Sequence, residues 1–198
     1  MERKSTDIRQ AEIKKALLEI IDQEGMHNLS TRKLAEKVGV TEGALFKHFK
    51  SKRDMILAIV DEVESGLMRS LEHVAAAEGG ADELLFRFLC THIRYLVANK
   101  GITILLFSEA ANVNDSELKS RLLAILNGQK RLVRAIVGRG IEDGIWNASL
   151  NVDSVATIYM GIPISLNIEL VLNPDGVNTE NFCRRMISVL VDGLKRIN

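Results

Sequence analysis

Leu29 to Lys52 reads L-S-T-R-K-L-A-E-K-V-G-V-T-E-G-A-L-F-K-H-F-K-S-K, a pattern that predicts two short helices joined by a tight turn. Ser30 is placed to N-cap the first helix, its hydroxyl accepting a hydrogen bond from one of the N–H groups that a helix start leaves without a carbonyl. Leu34, Ala35 and Val38 then fall on one apolar stripe. Gly39 follows where a left-handed residue closes a helix, a conformation that a residue without Cβ enters cheaply, and Val40 plugs the turn. Thr41 caps the second helix, Leu45 and Phe49 bury it, and Lys47, His48, Lys50 and Lys52 crowd its end. Two short helices around a glycine-containing turn make the helix-turn-helix pattern. An αα corner inside an all-helical core would share the apolar spacing. The capped, cationic second helix favours double-stranded DNA as the partner.

Outward from this stretch, the chain is an ordinary globular sequence of 198 residues, 46% hydrophobic and 26% charged, long enough for one or two domains with a substantial core. Few aromatics and only 2 prolines favour helix over strand. Net charge is zero but unevenly placed: residues 1–53 hold 12 Lys and Arg against 8 Asp and Glu, the remainder 14 against 18. A nucleic-acid-binding end joined to a non-binding body would show such an asymmetry. Cys90 and Cys183 lack metal-ligand spacing, so neither a zinc site nor a disulfide framework is expected, and no cofactor. The N-terminus has no apolar signal-peptide core. The apolar run Val155 to Leu172 is interrupted by Pro163, Asn167 and Glu169, so a buried helix is expected rather than a membrane span, and the location expected is cytoplasmic.

In chain order, Asp7 to Glu24 predicts an amphipathic helix with Ala11, Ile13, Leu17, Ile20 and Ile21 on its apolar face, closed by Gly25. A long helix is expected from Asp54 to about Glu78, a further one from Asp82 through Leu96, and a third from about Glu117 to Asp143. Asp153 is expected to cap a nearly all-apolar helix kinked at Pro163. Asn173 to Gly176 reads as a turn, and Thr179 opens a last helix reaching about Ile197. No strand alternation, repeat or low-complexity linker is visible. The architecture expected is all-α: a three-helix head over 1–53, with its motif at about 30–49, and a helical body over 54–198. No nucleophile–base pair or glycine-rich phosphate loop is present, and the chain is not expected to be an enzyme.

The caps Ser30 and Thr41, Gly39-Val40, Gly43, Leu45, Phe49, Lys52 and apolar Met55 together resemble the signature of the TetR-type bacterial transcriptional regulators. The resemblance implies about nine helices, a homodimer on a palindromic operator, and repression relieved by a small, largely apolar effector bound in the body. Carried over residue by residue, Ser30, Thr31, His48 and Lys52 match positions that meet phosphates. Arg32 can reach a guanine edge. Thr41 heads the recognition helix, whose Glu42, Gly43, Ala44 and Lys47 face the major groove. Phe46 stands where the family usually has Tyr, losing a hydroxyl bond to phosphate while keeping the apolar contact. Glu42 can accept from a cytosine amino group or complement the positive end of its helix.

The last two helices are more apolar than one core face requires, which points to a partner subunit over Leu166, Leu170, Met186, Leu190 and Leu194; a centrally buried helix in a monomer is the alternative. Candidate linings of a ligand pocket are His92, Tyr95, Phe107, Trp146, Tyr159, Met160 and Pro163, with Cys90 and Arg94 beside them, although each taken singly is more often ordinary core. Two other functions fit the same sequence: a protein of this fold acting through protein partners, and a helical-bundle enzyme with a merely structural head.

Overall fold

The computed structural model describes residues 5–111, 115–173, 178 and 181–195. Among them there are nine helices and no strand: α1 (Thr6–Glu24), α2 (Thr31–Val38), α3 (Glu42–Leu45), α4, α5 (Ala81–Ala98), α6 (Ile102–Ala111), α7 (Ser116–Glu142), α8 (Val152–Leu172) and α9 (Phe182–Leu194). Helix α4 has three consecutive parts: Lys52–Glu62, a π-helical segment Val63–Met68, and Arg69–Ala75. Side-chain caps set several starts. The hydroxyls of Ser5, Ser30, Thr41 and Ser51 each accept from the N–H three residues on, as N-caps do. Gly39 ends α2 in the left-handed conformation, at φ 74° and ψ 38°.

The chain forms two compact units. The first comprises residues 1–63 and 99–122, the second 64–98 and 123–198. The expected division at 53/54 therefore differs from the packing, because α6 and the start of α7 return to the head. Helix α6 packs on α1, and Gly101 sits so close that a Cβ there would stand 2.5 Å from the carbonyl oxygen of Leu18. The Arg53 guanidinium donates to Asp115 at 2.5 and 3.0 Å and to Glu117 at 2.6 Å. That pair holds the Asp115 carboxyl down at about 2. The core of this unit is Ile13, Leu17, Ile20, Ile21, Leu34, Leu45, Met55 and Ile59, all buried.

In the second unit, α5 packs against the C-terminal part of α4, α8 and α9. Its core holds Leu71, Leu84, Phe88, Leu89, Val137, Trp146, Tyr159 and Leu166. The Tyr159 and Phe88 rings meet edge to face, 5.6 Å between centroids. Helix α8 runs unbroken through Pro163 and is long and apolar enough to cross a membrane by length and composition alone. Its face of Val155, Ala156, Tyr159, Met160, Pro163 and Leu166 is nevertheless buried, against α5.

Two local expectations are corrected. The cap of α8 is Asn151, whose carbonyl oxygen accepts from the Ser154 N–H at 2.8 Å; Asp153 lies in the first turn and pairs with Arg134. Helix α4 ends at Ala75 rather than about Glu78, with Arg139 donating to the carbonyls of Ala77 and Gly79 just beyond. Helix α9 starts at Phe182, while Thr179 and Ile197 lie outside the described residues.

Candidate nucleic-acid interface

Helices α1, α2 and α3 build a compact head in which α2 packs on both others. The turn between α2 and α3 is fixed by the Gly39 N–H donating to Glu36 O at 3.1 Å and the Val40 N–H to Ala35 O at 2.9 Å. Leu45 and Phe49 point inward and are buried. After Leu45 the helix tightens, with the N–H groups of Lys47 and His48 bonding three residues back, at 3.3 and 3.0 Å. Gln10 of α1 donates to the His48 carbonyl at 2.9 Å, tying down this end.

On the outer side, Thr41, Glu42, Gly43, Phe46 and Lys47 are exposed and Ala44 is half-buried. Ser30, Arg32 and Lys50 are exposed as well, and Thr31, His48 and Lys52 half-buried. The expected DNA-contacting residues thus lie at the cap and first turn of α2, at the cap and on α3, in the turns that follow it (Phe46, Lys47 and His48) and at the start of α4, all within the first unit. Three details qualify their roles. Arg32 is engaged with Glu36 at 3.0 Å and must exchange that partner to reach a base. Thr31 donates its hydroxyl proton to Glu42 at 2.6 Å. The buried Nδ1 of His48 has no partner, which leaves the other ring nitrogen as the one able to meet a phosphate.

Charge separates this side from the rest of the head. On α1 and α2, Arg9, Lys14, Lys15, Lys33 and Lys37 each pair with a carboxylate. Among the described residues Lys47, Lys50 and Lys52 carry no ion pair. Three uncompensated cations between the end of α3 and the start of α4 repel one another mildly, and a polyanion relieves that repulsion while releasing its own counterions.

The second unit holds the other candidate residues but gathers only some of them. His92 on α5 and Tyr159 on α8 are buried with their rings stacked, 6.5 Å apart, and Met160 and Pro163 continue the buried face of α8. His92 Nδ1 and the Tyr159 hydroxyl both lack a hydrogen-bond partner. Burial alone pushes His92 down to about 4; burial first, then the neighbouring Cys183 and Cys90 thiols, push the Tyr159 hydroxyl well up. Tyr95, one turn from His92, is half-buried against Gly66. Trp146 stands apart. It is wholly buried, packs on Gly140, and donates to Asp82 at 2.8 Å, three turns or about 15 Å along α5 from His92. The Phe107 side chain lies outside what is described. An open cleft of about 680 Å³ in the first unit is lined by the charged Lys52, Arg53, Glu109, Asp115 and Glu117 together with Ile56, Ser116 and Leu118.

Leu166 and Leu194 are corrected as interface residues: both are buried within the protomer, 0% and 3% exposed. Leu170, Met186 and Leu190 are half-buried. The apolar residues facing outward on these helices are Ile158, Ile168, Val171 and Leu172 of α8 and Val189 of α9. Sequence periodicity found the helices, but two of the five stripe residues turn into the protomer's own core.

Comparison with known proteins agrees with this geometry. Residues 13–59, the segment from α1 into α4, match the model described as "Bacterial regulatory proteins, tetR family". The nucleoid occlusion factor SlmA of Haemophilus ducreyi is 30% identical over 146 residues, 73% of this chain and 72% of that protein. The regulator MbdR of Azoarcus superposes with a TM-score of 0.82 at 21% identity, over 95% of this chain and 100% of the other. FadR of Bacillus subtilis, solved with stearoyl-CoA, superposes with a TM-score of 0.72 at 22% identity, over 93% and 98%. With its capped, glycine-turned head and its wholly helical body, the chain belongs to the TetR family of bacterial regulatory proteins, DNA-binding regulators of transcription.

Proposed function

We propose that the protein is a homodimeric repressor, acting in the cytoplasm, that binds a palindromic operator through α3 and is released by a small, largely apolar ligand held in the second unit. The observation that carries the reading is the set of unpaired cations, Lys47, Lys50 and Lys52, beside the exposed face of α3. The ligand half is supported by the unpartnered His92 Nδ1 and Tyr159 hydroxyl in an otherwise apolar interior, because buried polar groups are normally bonded. A structural neighbour was solved with stearoyl-CoA, a ligand with a long apolar chain. The dimer is supported by the outward-facing Ile158, Ile168, Leu172 and Val189, apolar surface that a second copy would cover.

A ligand that favours the released state with a coupling of about 1–3 kcal/mol must itself be bound more weakly, by the same factor, when operator is present. The test is a mobility-shift titration with the DNA flanking the protein's own gene, at two salt concentrations and then against a panel of acyl and aromatic compounds. Specific, salt-sensitive binding that one compound reverses supports the reading; tight binding that none reverses removes its ligand half. The name of the SlmA relative favours a second reading, DNA binding in the service of nucleoid occlusion rather than of a metabolic gene. Occupancy of many scattered chromosomal sites, insensitive to every compound, would select it.

A further inference from the structure

Glu42 is an unusual residue to present to a polyanion. It opens α3, is exposed, and has no cationic partner among the described residues. The nearest guanidinium on α2, Arg32, is engaged with Glu36 instead. An unpaired carboxylate here repels the phosphates of every DNA sequence alike, so it weakens binding generally unless a base amino group compensates.

Capping does not account for the residue. The N–H of Ala44 is already taken by Thr41, whose hydroxyl accepts it at 3.2 Å. The Glu42 carboxylate is oriented instead from the other helix: the Thr31 hydroxyl donates to Oε2 at 2.6 Å across the turn. That bond restricts the carboxylate to one orientation while leaving Oε1 as an acceptor. The residue after it is Gly43, which has no side chain to stand beside the carboxylate and open space where a Cβ would be.

We propose that Glu42, positioned by Thr31, reads the amino group of a cytosine in each half-site. The assignment rests on the reading of α3 as the helix that enters the major groove. Cytosine presents an N4 amino donor there, with no acceptor beside it on its own edge. Adenine's amino group is flanked by the acceptor N7, guanine offers N7 and O6, and thymine offers O4. A fixed carboxylate is therefore satisfied by cytosine and opposed by acceptors on the other three. Thr31 is a positioning residue in this scheme and touches no base.

The experiment is selection of the full-length protein on a random duplex library with sequencing of the bound fraction, for wild type, Glu42→Gln, Thr31→Val and Thr31→Ser. Wild type should show a C·G pair at one position per half-site, with other bases disfavoured by about ten- to a hundredfold. Glu42→Gln should change the letter at that position to adenine, whose N6 and N7 suit an amide, and leave the other positions as they were. Thr31→Val should reduce the cytosine preference several-fold at the same position only, and Thr31→Ser should restore it. Glu42→Gln giving the wild-type preference at every position, with only a uniform change in affinity, would overturn the assignment and leave Glu42 a general electrostatic element. Enrichment of no sequence by wild type would remove the DNA-reading role itself, and this assignment with it.

Discussion

Replacing His92 with leucine isolates the energetic consequence of a buried, unpartnered imidazole. His92 is 4% exposed, its Nδ1 has no hydrogen-bond partner, and burial lowers its pKa from 6.5 to about 4. The unfolded chain takes up a proton near pH 6.5, the folded chain only near pH 4. Between those values the unfolded state binds more protons, so stability rises with pH across the window and is lost as pH falls. Each pH unit contributes about 1.4 kcal/mol, so from pH 6.5 to 4.5 wild type loses about 3 kcal/mol through this group alone. His92→Leu removes the titration and the unsatisfied nitrogen together. It should cost little at pH 7.5, since the substitution leaves no newly unpaired buried polar group. At pH 4.5 it should be more stable relative to wild type, by about 3 kcal/mol over the difference at pH 7.5. Urea unfolding at the two pH values, followed by fluorescence of Trp146, the chain's one tryptophan and a core residue of the same unit, measures this directly. Parallel pH profiles for the two proteins would refute the reasoning.

Lys52→Ala should weaken binding to all DNA sequences alike and lower the slope of log affinity against log salt by about 1 per subunit, measured by fluorescence anisotropy on specific and random duplexes. Val189→Arg should leave the protomer folded, since Val189 is 73% exposed, yet convert a dimer to monomer in sedimentation velocity; an undisturbed dimer would place its interface elsewhere. Gly101→Ala should lower the melting temperature by several degrees. Its φ of +81° costs a side chain about 1–2 kcal/mol, and the added Cβ overlaps the Leu18 carbonyl oxygen.

The head was legible in the sequence because its determinants are local. Ser30, Gly39 and Thr41 act on N–H and C=O groups a few residues away, so 24 consecutive letters specify two helices and their turn. The body resisted because its apolar residues are chemically alike and only long-range packing tells them apart. Leu166 is buried and Ile168, two residues on, is exposed, a distinction set by where α5 lies. Trp146, a candidate ligand residue in the sequence, donates its indole N–H to Asp82, 64 residues earlier, a pairing that no local pattern announces. Arg53 finds Asp115 and Glu117 over a similar separation, and that return of the chain moved the expected boundary. The Thr31–Glu42 bond was within reach, since both residues stood in the motif, but hydrogen bonds across a turn leave no periodic trace.

The π-helical segment Val63–Met68 has a consequence for what lengths of chain α4 can tolerate. A π turn closes its hydrogen bonds five residues back rather than four, so the segment accommodates one residue more than an α-helix would need between the same two ends. Deleting a single residue there lets the ladder revert to α without removing a residue from either buried stripe, Met55, Ile56, Ile59 and Val60 before it or Leu71 and Val74 after it. Deleting one residue within either flank would instead turn everything beyond it by about 100° and carry one of those stripes out of its core. A deletion of one residue is therefore expected to cost less at the exposed positions of 63–68 than within either flank, provided buried Val63, Leu67 and Met68 are kept.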